Sequence, residues 1–242
     1  MKLKSSVSNL KEVTDILSSI TNEAKLEFDN EGLKVRAIDS ARIAMVDLFV
    51  PKDSFSLYEV DEKVEVSVEL DKIRNVLRLA SQSDDLAISI SGSKIKFSLG
   101  NLTKTMSTLD SIVNSPKLPT VDPKNFVVIR KADLDKGLRA ATDVRDSIKF
   151  TIEDKKFEAT SKSDSEEVDL VIDNDSLIEI RSQEKASSSY PLDYLSKIIK
   201  AVSFADTLKI AFNNDYPLVM EFNFAAKDGI KTAKFLLAPR IE

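Results

Sequence analysis

Apolar and polar residues alternate over short stretches of this chain, and other stretches repeat their apolar residues at helical spacing. Leu26-Phe28, Leu33-Val35, Val64-Val66-Val68 and Ile95-Phe97-Leu99 have the period-two pattern of antiparallel strands with one face buried. Leu10, Val13, Ile16, Leu17 and Ile20 fall on one helical stripe. A strand from Phe126 to Arg130 precedes a second stripe of Leu134, Leu138 and Ala141. Two further helices are expected over 71–80 and 192–201. Asp29-Asn-Glu-Gly32, Ser91-Gly92-Ser93, Asn213-Asn214-Asp215 and Asp228-Gly229 each separate two strand patterns and supply residues that tolerate positive φ, so hairpin turns are expected there.

The pattern occurs twice. With a shift of 122 residues, Leu26, Phe28, Val35 and Ala37 fall on Ile148, Phe150, Phe157 and Ala159. The same shift carries Leu70-Asp71 onto Leu192-Asp193, and Asp84, Leu86 and Ile88 onto Asp206, Leu208 and Ile210. Two separate segments agreeing on one shift indicate tandem duplication of an α+β domain. Between the copies, Ser115-Pro116-Lys-Leu118-Pro119-Thr-Val121-Asp-Pro123 places three prolines in eight residues, which excludes helix and central strand. The expected organisation is a first domain over 1–114, an extended linker over 115–125 and a second domain over 126–242. Leu118 and Val121 are apolar on a segment that ought to be solvated. They either dock the linker on its own domain or form half of a peptide-binding groove.

At 242 residues and 42% hydrophobic, the chain can bury a proper core. It has no Cys, His or Trp, which removes thiolate and imidazole chemistry and the commonest zinc ligands. Five glycines and no glycine-rich phosphate loop argue against a nucleotide site. Asp84-Asp85 and Asp173-Asn-Asp175 do not extend into a calcium loop and read as solvated turns. No catalytic residue, metal or cofactor is expected. No signal peptide or apolar span is evident, and with the absent cysteines this fits a cytoplasmic protein without a membrane partner.

The net charge of −5 argues against nucleic-acid binding, unless positive charge is concentrated locally. It is. Helix 71–80 carries Lys72, Arg74 and Arg78, the two arginines one turn apart and opposite Ile73, Val76 and Leu77. Helix 192–201 sets Lys197 and Lys200 three apart, and the helix containing Leu134 does the same with Lys136 and Arg139. The first helix offers Lys11 against Glu12 and Asp15. Basic faces recurring at duplicated positions can line one surface and neutralise phosphates without reading bases.

Two further motifs stand out: Gly32-Leu-Lys-Val-Arg-Ala-Ile-Asp39-Ser40 with the following Ile43-Ala-Met-Val-Asp-Leu48, and Asp215-Tyr-Pro217-Leu-Val-Met-Glu221 with Leu237-Ala-Pro-Arg-Ile-Glu242. In them the chain resembles sliding clamps of the proliferating-cell-nuclear-antigen family, the first being similar to the family's first-domain signature and the second to its C-terminal one, and Arg42 looks archaeal. The resemblance implies a trimeric ring with helices lining a central hole and antiparallel sheets outside. It implies a non-catalytic function: encircling double-stranded DNA through its backbone and tethering polymerase, clamp loader, ligase and flap nuclease by short peptide motifs. Lys11, Arg74, Arg78, Lys136, Arg139, Lys197 and Lys200 would meet DNA. Ile38, Arg42, Ile43, Met45, Leu118, Pro119, Val121, Phe126, Tyr216, Pro217, Ala238, Pro239 and Ile241 would form the peptide groove. Subunits would join by pairing the edges Leu102–Leu109 and Val168–Ile172, with Thr105, Ser107, Val168, Leu170 and Ile172 at the interface. Asp193 departs from the family's basic pattern, and Tyr216 replaces a smaller aliphatic residue. Three identical chains and three different ones both remain open. A small interaction module with merely solvated helices is the main alternative, and a carboxylate-metal hydrolase a remoter one.

Overall fold

A computed structural model describes residues 1–81, 83–110, 115–226 and 229–241. Its first half runs β1 (Lys2–Ser6), α1 (Val7–Ser18), β2 (Glu23–Phe28), β3 (Gly32–Ile38), β4 (Ala44–Pro51), β5 (Leu57–Glu59), β6 (Val64–Glu69), α2 (Leu70–Leu77), β7 (Asp85–Ser91), β8 (Lys94–Leu99) and β9 (Leu102–Ser107). Its second half runs β10 (Asn125–Arg130), α3 (Lys131–Ala141), β11 (Ser147–Glu153), β12 (Lys156–Lys162), β13 (Glu167–Ile172), β14 (Glu179–Arg181), β15 (Ala186–Pro191), α4 (Leu192–Ala201), β16 (Thr207–Phe212), β17 (Leu218–Ala226) and β18 (Gly229–Leu237). The class is α+β, as the alternation implies.

Two compact units result. The first comprises Met1–Ser40, Val46–Lys117 and Asn223–Ala233, and the second Ala41–Met45, Leu118–Phe222 and Lys234–Glu242. The first unit contains the strand orders β5-β1-β7-β8-β9 and β4-β3-β2-β6, and the second contains β14-β10-β16-β17 and β13-β12-β11-β15. β18 follows β17 as β9 follows β8, so the arrangement is the same element for element, and β1 with β7, β2 with β6, β10 with β16 and β11 with β15 all pair antiparallel.

The registers refine the repeat. Leu26 pairs with both Val35 and Val66. The counterpart of Val66, 122 residues on, is Ser188; it pairs with Phe150, which in turn pairs with Ala159. Phe150 rather than Ile148 therefore occupies the place of Leu26, a shift of 124 up to β12 and of 122 from β14 onward. The second half is two residues shorter between β12 and β14 than the first between β3 and β5. Because side chains in a strand alternate with period two, a two-residue error preserves the buried face, which is why an ungapped match satisfies the pattern.

The equivalence also separates the two cores. Phe150, Phe157, Tyr190 and Phe212 form one aromatic cluster, with ring centroids 5.2 to 6.3 Å apart. Their counterparts are Leu26, Leu33, Val68 and Ile90. Three of these four line an apolar cavity of about 50 Å³ in the first unit, bounded also by Leu3, Leu10, Phe28 and Phe97.

Turns follow local chemistry. Asp29 accepts from the backbone N–H groups of Glu31 and Gly32 through Oδ1 (2.9 and 3.2 Å). Gly92 and Asp215 have φ of 55° and 45° at two expected turns. Asp228 of the fourth turn lies outside the described residues. An unforeseen turn joins β11 to β12, where Asp154 and Lys155 both take positive φ, 49° and 65°. Helix ends differ from expectation. α1 stops at Ser18, before Ile20, and α2 stops at Leu77, leaving Arg78 as its C-cap in αR geometry. Ser6 caps α1 by accepting from the Asn9 N–H at 3.2 Å.

Candidate nucleic-acid interface and peptide cleft

Each unit packs its two helices together, α1 with α2 and α3 with α4. The helices are amphipathic, so packing their apolar stripes leaves the polar stripes outward. α2 buries Leu70, Ile73, Val76 and Leu77; α4 buries Leu192, Leu195, Ile198 and Ile199. In the first unit Lys11, Arg74 and Arg78 line one groove of about 410 Å³ with Val7, Thr14, Asp15, Leu77 and Ala80. The weak basic character of α1 is thus supplemented from α2. In the second unit Lys136 and Arg139 are exposed on α3, and Lys197 and Lys200 on α4.

Neighbouring carboxylates offset part of this charge. Arg74 pairs with Asp71 at 3.3 Å, Arg139 with Asp135 at 2.6 Å and Lys197 with Asp193 at 3.3 Å. The unusual Asp193 therefore spends its charge on its own helix. Among the described residues no ion pair holds Lys11, Lys136 or Lys200.

A cleft of the second unit has a volume of about 680 Å³. Ile43, Pro191, Leu192, Ala238 and Pro239 supply its apolar lining, and Thr142, Arg145, Asp146, Asp193, Ser196 and Arg240 its polar lining. The segment after β18 is pinned there, since Ala238 N–H donates to Ile43 O and Arg240 N–H to Ser189 O, both at 2.8 Å. Arg240 pairs with Asp146 at 2.5 Å, and this pairing holds the Asp146 carboxyl below its usual range.

Of the groove residues expected from sequence, Ile43, Ala238 and Pro239 enter this cleft. Met45 is buried, Ile38, Leu118, Val121, Phe126 and Pro217 are half-buried, and Arg42, Pro119 and Ile241 are exposed. Arg42 adopts a left-handed φ of 58°. The Tyr216 hydroxyl accepts from the Asp122 N–H at 3.3 Å, so its distinctive phenol holds the linker. Thr142, Arg145, Asp146, Pro191 and Ser196 carried no motif that marked them as cleft residues, whereas Arg240 lies in the quoted Leu237–Glu242 segment and Asp193 in the repeated Leu192-Asp193 pair.

At the expected subunit edges, β9 and β13 are outer strands of their sheets. Thr105 and Ser107 are exposed. Val168, Leu170 and Ile172 pair with Ser161, Ala159 and Phe157 and so share the inward face of β13. A Cβ on Gly137 of α3 would meet Leu170 Cδ2 at 2.8 Å, so the glycine permits this close approach. Among the described residues no group of three or more acidic residues is placed to hold a metal, and no helix is long and apolar enough to cross a membrane.

This is a duplicated α+β fold with basic residues on the helices of both units, and its sequence matches a known family over both halves. Residues 1–108 match "Proliferating cell nuclear antigen, N-terminal domain", and residues 117–240 match "Proliferating cell nuclear antigen, C-terminal domain". The chain belongs to the proliferating cell nuclear antigen family. It is 44% identical to the DNA polymerase sliding clamp of Thermoplasma volcanium, covering 100% of this chain and 99% of the relative. It is 43% identical to that of Thermoplasma acidophilum, with the same coverage. Among solved structures, the complex of the C-terminal region of FEN-1 with A. fulgidus PCNA superposes with a TM-score of 0.92 at 27% identity, covering 100% of this chain and 98% of that one. PCNA from Thermococcus kodakaraensis gives 0.88 at 26% identity, covering 99% of both.

Proposed function

We propose that the chain is a sliding clamp: copies of it close a ring around duplex DNA and tether the polymerase and other replication enzymes through short peptide segments. The carrying observation is the recurrence of cation-bearing helix faces in both units of a PCNA-family fold. Lys11, Arg74 and Arg78 in one unit, and Lys136, Arg139, Lys197 and Lys200 in the other, would contact phosphates weakly and without reading bases, which suits a subunit that slides. Topology, rather than affinity, would then hold the ring on DNA. The function needs no catalytic group, metal or cofactor, and its place is on the chromosome in the cytoplasm.

The partner-peptide groove in this reading comprises Ile38, Arg42, Ile43, Met45, Leu118, Pro119, Val121, Phe126, Tyr216, Pro217, Ala238, Pro239 and Ile241. The relevant architecture is two domains over 1–114 and 126–242, with the linker between. Ring closure pairs β9 of one copy with β13 of the next, with Thr105, Ser107, Val168, Leu170 and Ile172 at that joint. The test is retention on circular against linear DNA after loading. Retention on the circle and escape from linear ends is the expected result; equal loss from both would defeat the proposal. Reversing Arg78, Arg139 and Lys200 to Glu separates it from a peptide-binding module with merely solvated helices, for which polymerase processivity would not change.

A further inference from the structure

One face of β2, β3, β4 and β6 in the first unit carries alternating charges that meet the start of the linker. Lys25 pairs with Glu27 and Glu65 at 3.4 and 2.7 Å, and Lys63 pairs with the same two carboxylates at 3.0 and 2.6 Å. The Glu27 side chain, only 22% exposed, also holds the linker: the Ser115 hydroxyl donates at 2.8 Å to Glu27 Oε1, the oxygen that faces Lys25. On the neighbouring strand Arg36 is held by Asp47, Nε to Oδ1 at 3.1 Å, and its Nη1 donates to the carbonyl of Pro116 at 3.4 Å. Two consecutive linker residues are therefore held by two charged side chains that other ion pairs hold in turn. Burial alone would raise the Glu27 carboxyl, but the Ser115 hydroxyl, Lys63 and Lys25 outweigh it and keep the group below its usual value, so the acceptor is ionised at neutral pH.

The far end of the linker is tied as well. Asp122 N–H donates to the Tyr216 hydroxyl at 3.3 Å and Lys124 N–H to Asn213 Oδ1 at 2.9 Å. Among the described residues no backbone hydrogen bond holds the span from Lys117 to Val121, which contains the half-buried Leu118 and Val121. Pro119 within that span, with Pro116 and Pro123 on either side of it, stiffens the segment but does not orient it. Its orientation is therefore set at its ends.

We propose that Glu27 and Arg36 are positioning residues for partner peptides: by gripping Ser115 and Pro116 they fix the entry of the linker and preset Leu118 and Val121 for an incoming peptide. The benefit is preorganisation, because a linker already held in one pose loses less conformational freedom when a peptide docks. This rests on the reading of the linker as one wall of the groove.

The experiment uses the full-length protein and a synthetic peptide corresponding to the C-terminal region of FEN-1. Backbone 15N order parameters of residues 117, 118 and 120–122 are measured by NMR relaxation without peptide, and peptide affinity by fluorescence anisotropy. Ser115→Val with Arg36→Met removes both grips while leaving Tyr216 and Asn213 in place. Expected are order parameters that fall from rigid values near about 0.85 to below about 0.6 across the span and binding about tenfold weaker, with an unchanged thermal midpoint. Ser115→Thr alone, which keeps a hydroxyl in nearly the same shape as Val, should behave like the parent. Unchanged order parameters, or lower ones with unchanged affinity, would overturn the proposal. If the unaltered protein does not bind the peptide at all, the groove reading falls first, an outcome distinct from variants that bind as well as the parent.

Discussion

Leu33 occupies in the first unit the place that Phe157 holds in the second. Both are buried, and only the phenylalanine fills its site completely, since Leu33 borders the cavity of about 50 Å³. At roughly 24 cal/mol per Å³, that void costs about 1 kcal/mol. Leu33→Phe should raise stability by up to ~1 kcal/mol in urea titrations of the whole chain. Phe157→Leu, which opens a matching void, should lower it by about 1–2 kcal/mol. Destabilisation by Leu33→Phe would mean that the cavity walls cannot admit a ring.

Lys231 is 4% exposed, and its ammonium donates to Glu12 Oε2 at 2.6 Å and Asn9 Oδ1 at 2.9 Å beside the Phe224 ring. Removing one member of so enclosed a pair strands the other. Lys231→Met should therefore cost about 2–4 kcal/mol by thermal denaturation, and adding Glu12→Leu should recover a substantial part. If the double variant is no better than Lys231→Met, charge stranding is not the cause.

Two phenols make the protein sensitive to alkali. Burial, reinforced by the nearby Asp29 carboxylate, pushes Tyr58 up to about 12, and burial pushes Tyr190 higher still. Since folding raises both values, the folded state retains these protons more strongly than the unfolded chain. The stability they contribute is complete below the ordinary tyrosine value of 10.0 and is lost as pH climbs through the folded values. Urea midpoints should fall from about pH 10 upward, and Tyr58→Phe should flatten the slope between about 10 and 12. An identical slope in Tyr58→Phe would assign the alkaline loss elsewhere.

Charge on the helices should not count equally. Arg139 and Lys197 are partly neutralised by Asp135 and Asp193, whereas among the described residues no ion pair holds Lys136 or Lys200, which on the proposed reading leaves their charge for DNA. Lys136→Ala and Lys200→Ala should each reduce the salt dependence of duplex binding by about 0.9 in log–log slope for each phosphate left without its cation. Arg139→Ala should do less. Asp193→Asn should strengthen binding, and weakening by that change would contradict the arrangement.

Much of this fold is legible because one-sided burial writes itself into the sequence as alternation and helical spacing. Val64-Val66-Val68 forms β6, and the Leu134, Leu138 and Ala141 stripe is the buried face of α3. The turn at Asp154-Lys155 is not legible, since neither residue carries the glycine signal usual for positive φ. The basic faces can be read because they repeat locally on helices. The cleft can be read only in part: Ile43, Ala238 and Pro239 lie in recognisable segments, whereas Arg145 and Pro191 reach it through tertiary packing alone. Glu27 and Ser115, 88 residues apart, give no local sign that they meet.

The bond from Lys231 to Glu12 joins residues separated by 219 positions, and the first unit includes Asn223–Ala233. A domain that emerges early from the ribosome would ordinarily fold before its successor is made. This one is completed by a piece that follows Leu118–Phe222 of the second unit in sequence, so it is whole only after most of that unit has been made. Until then the nascent first half waits unfinished, so the two halves are bound to a common schedule of maturation, and a fragment ending at Lys117 would lack part of its own architecture.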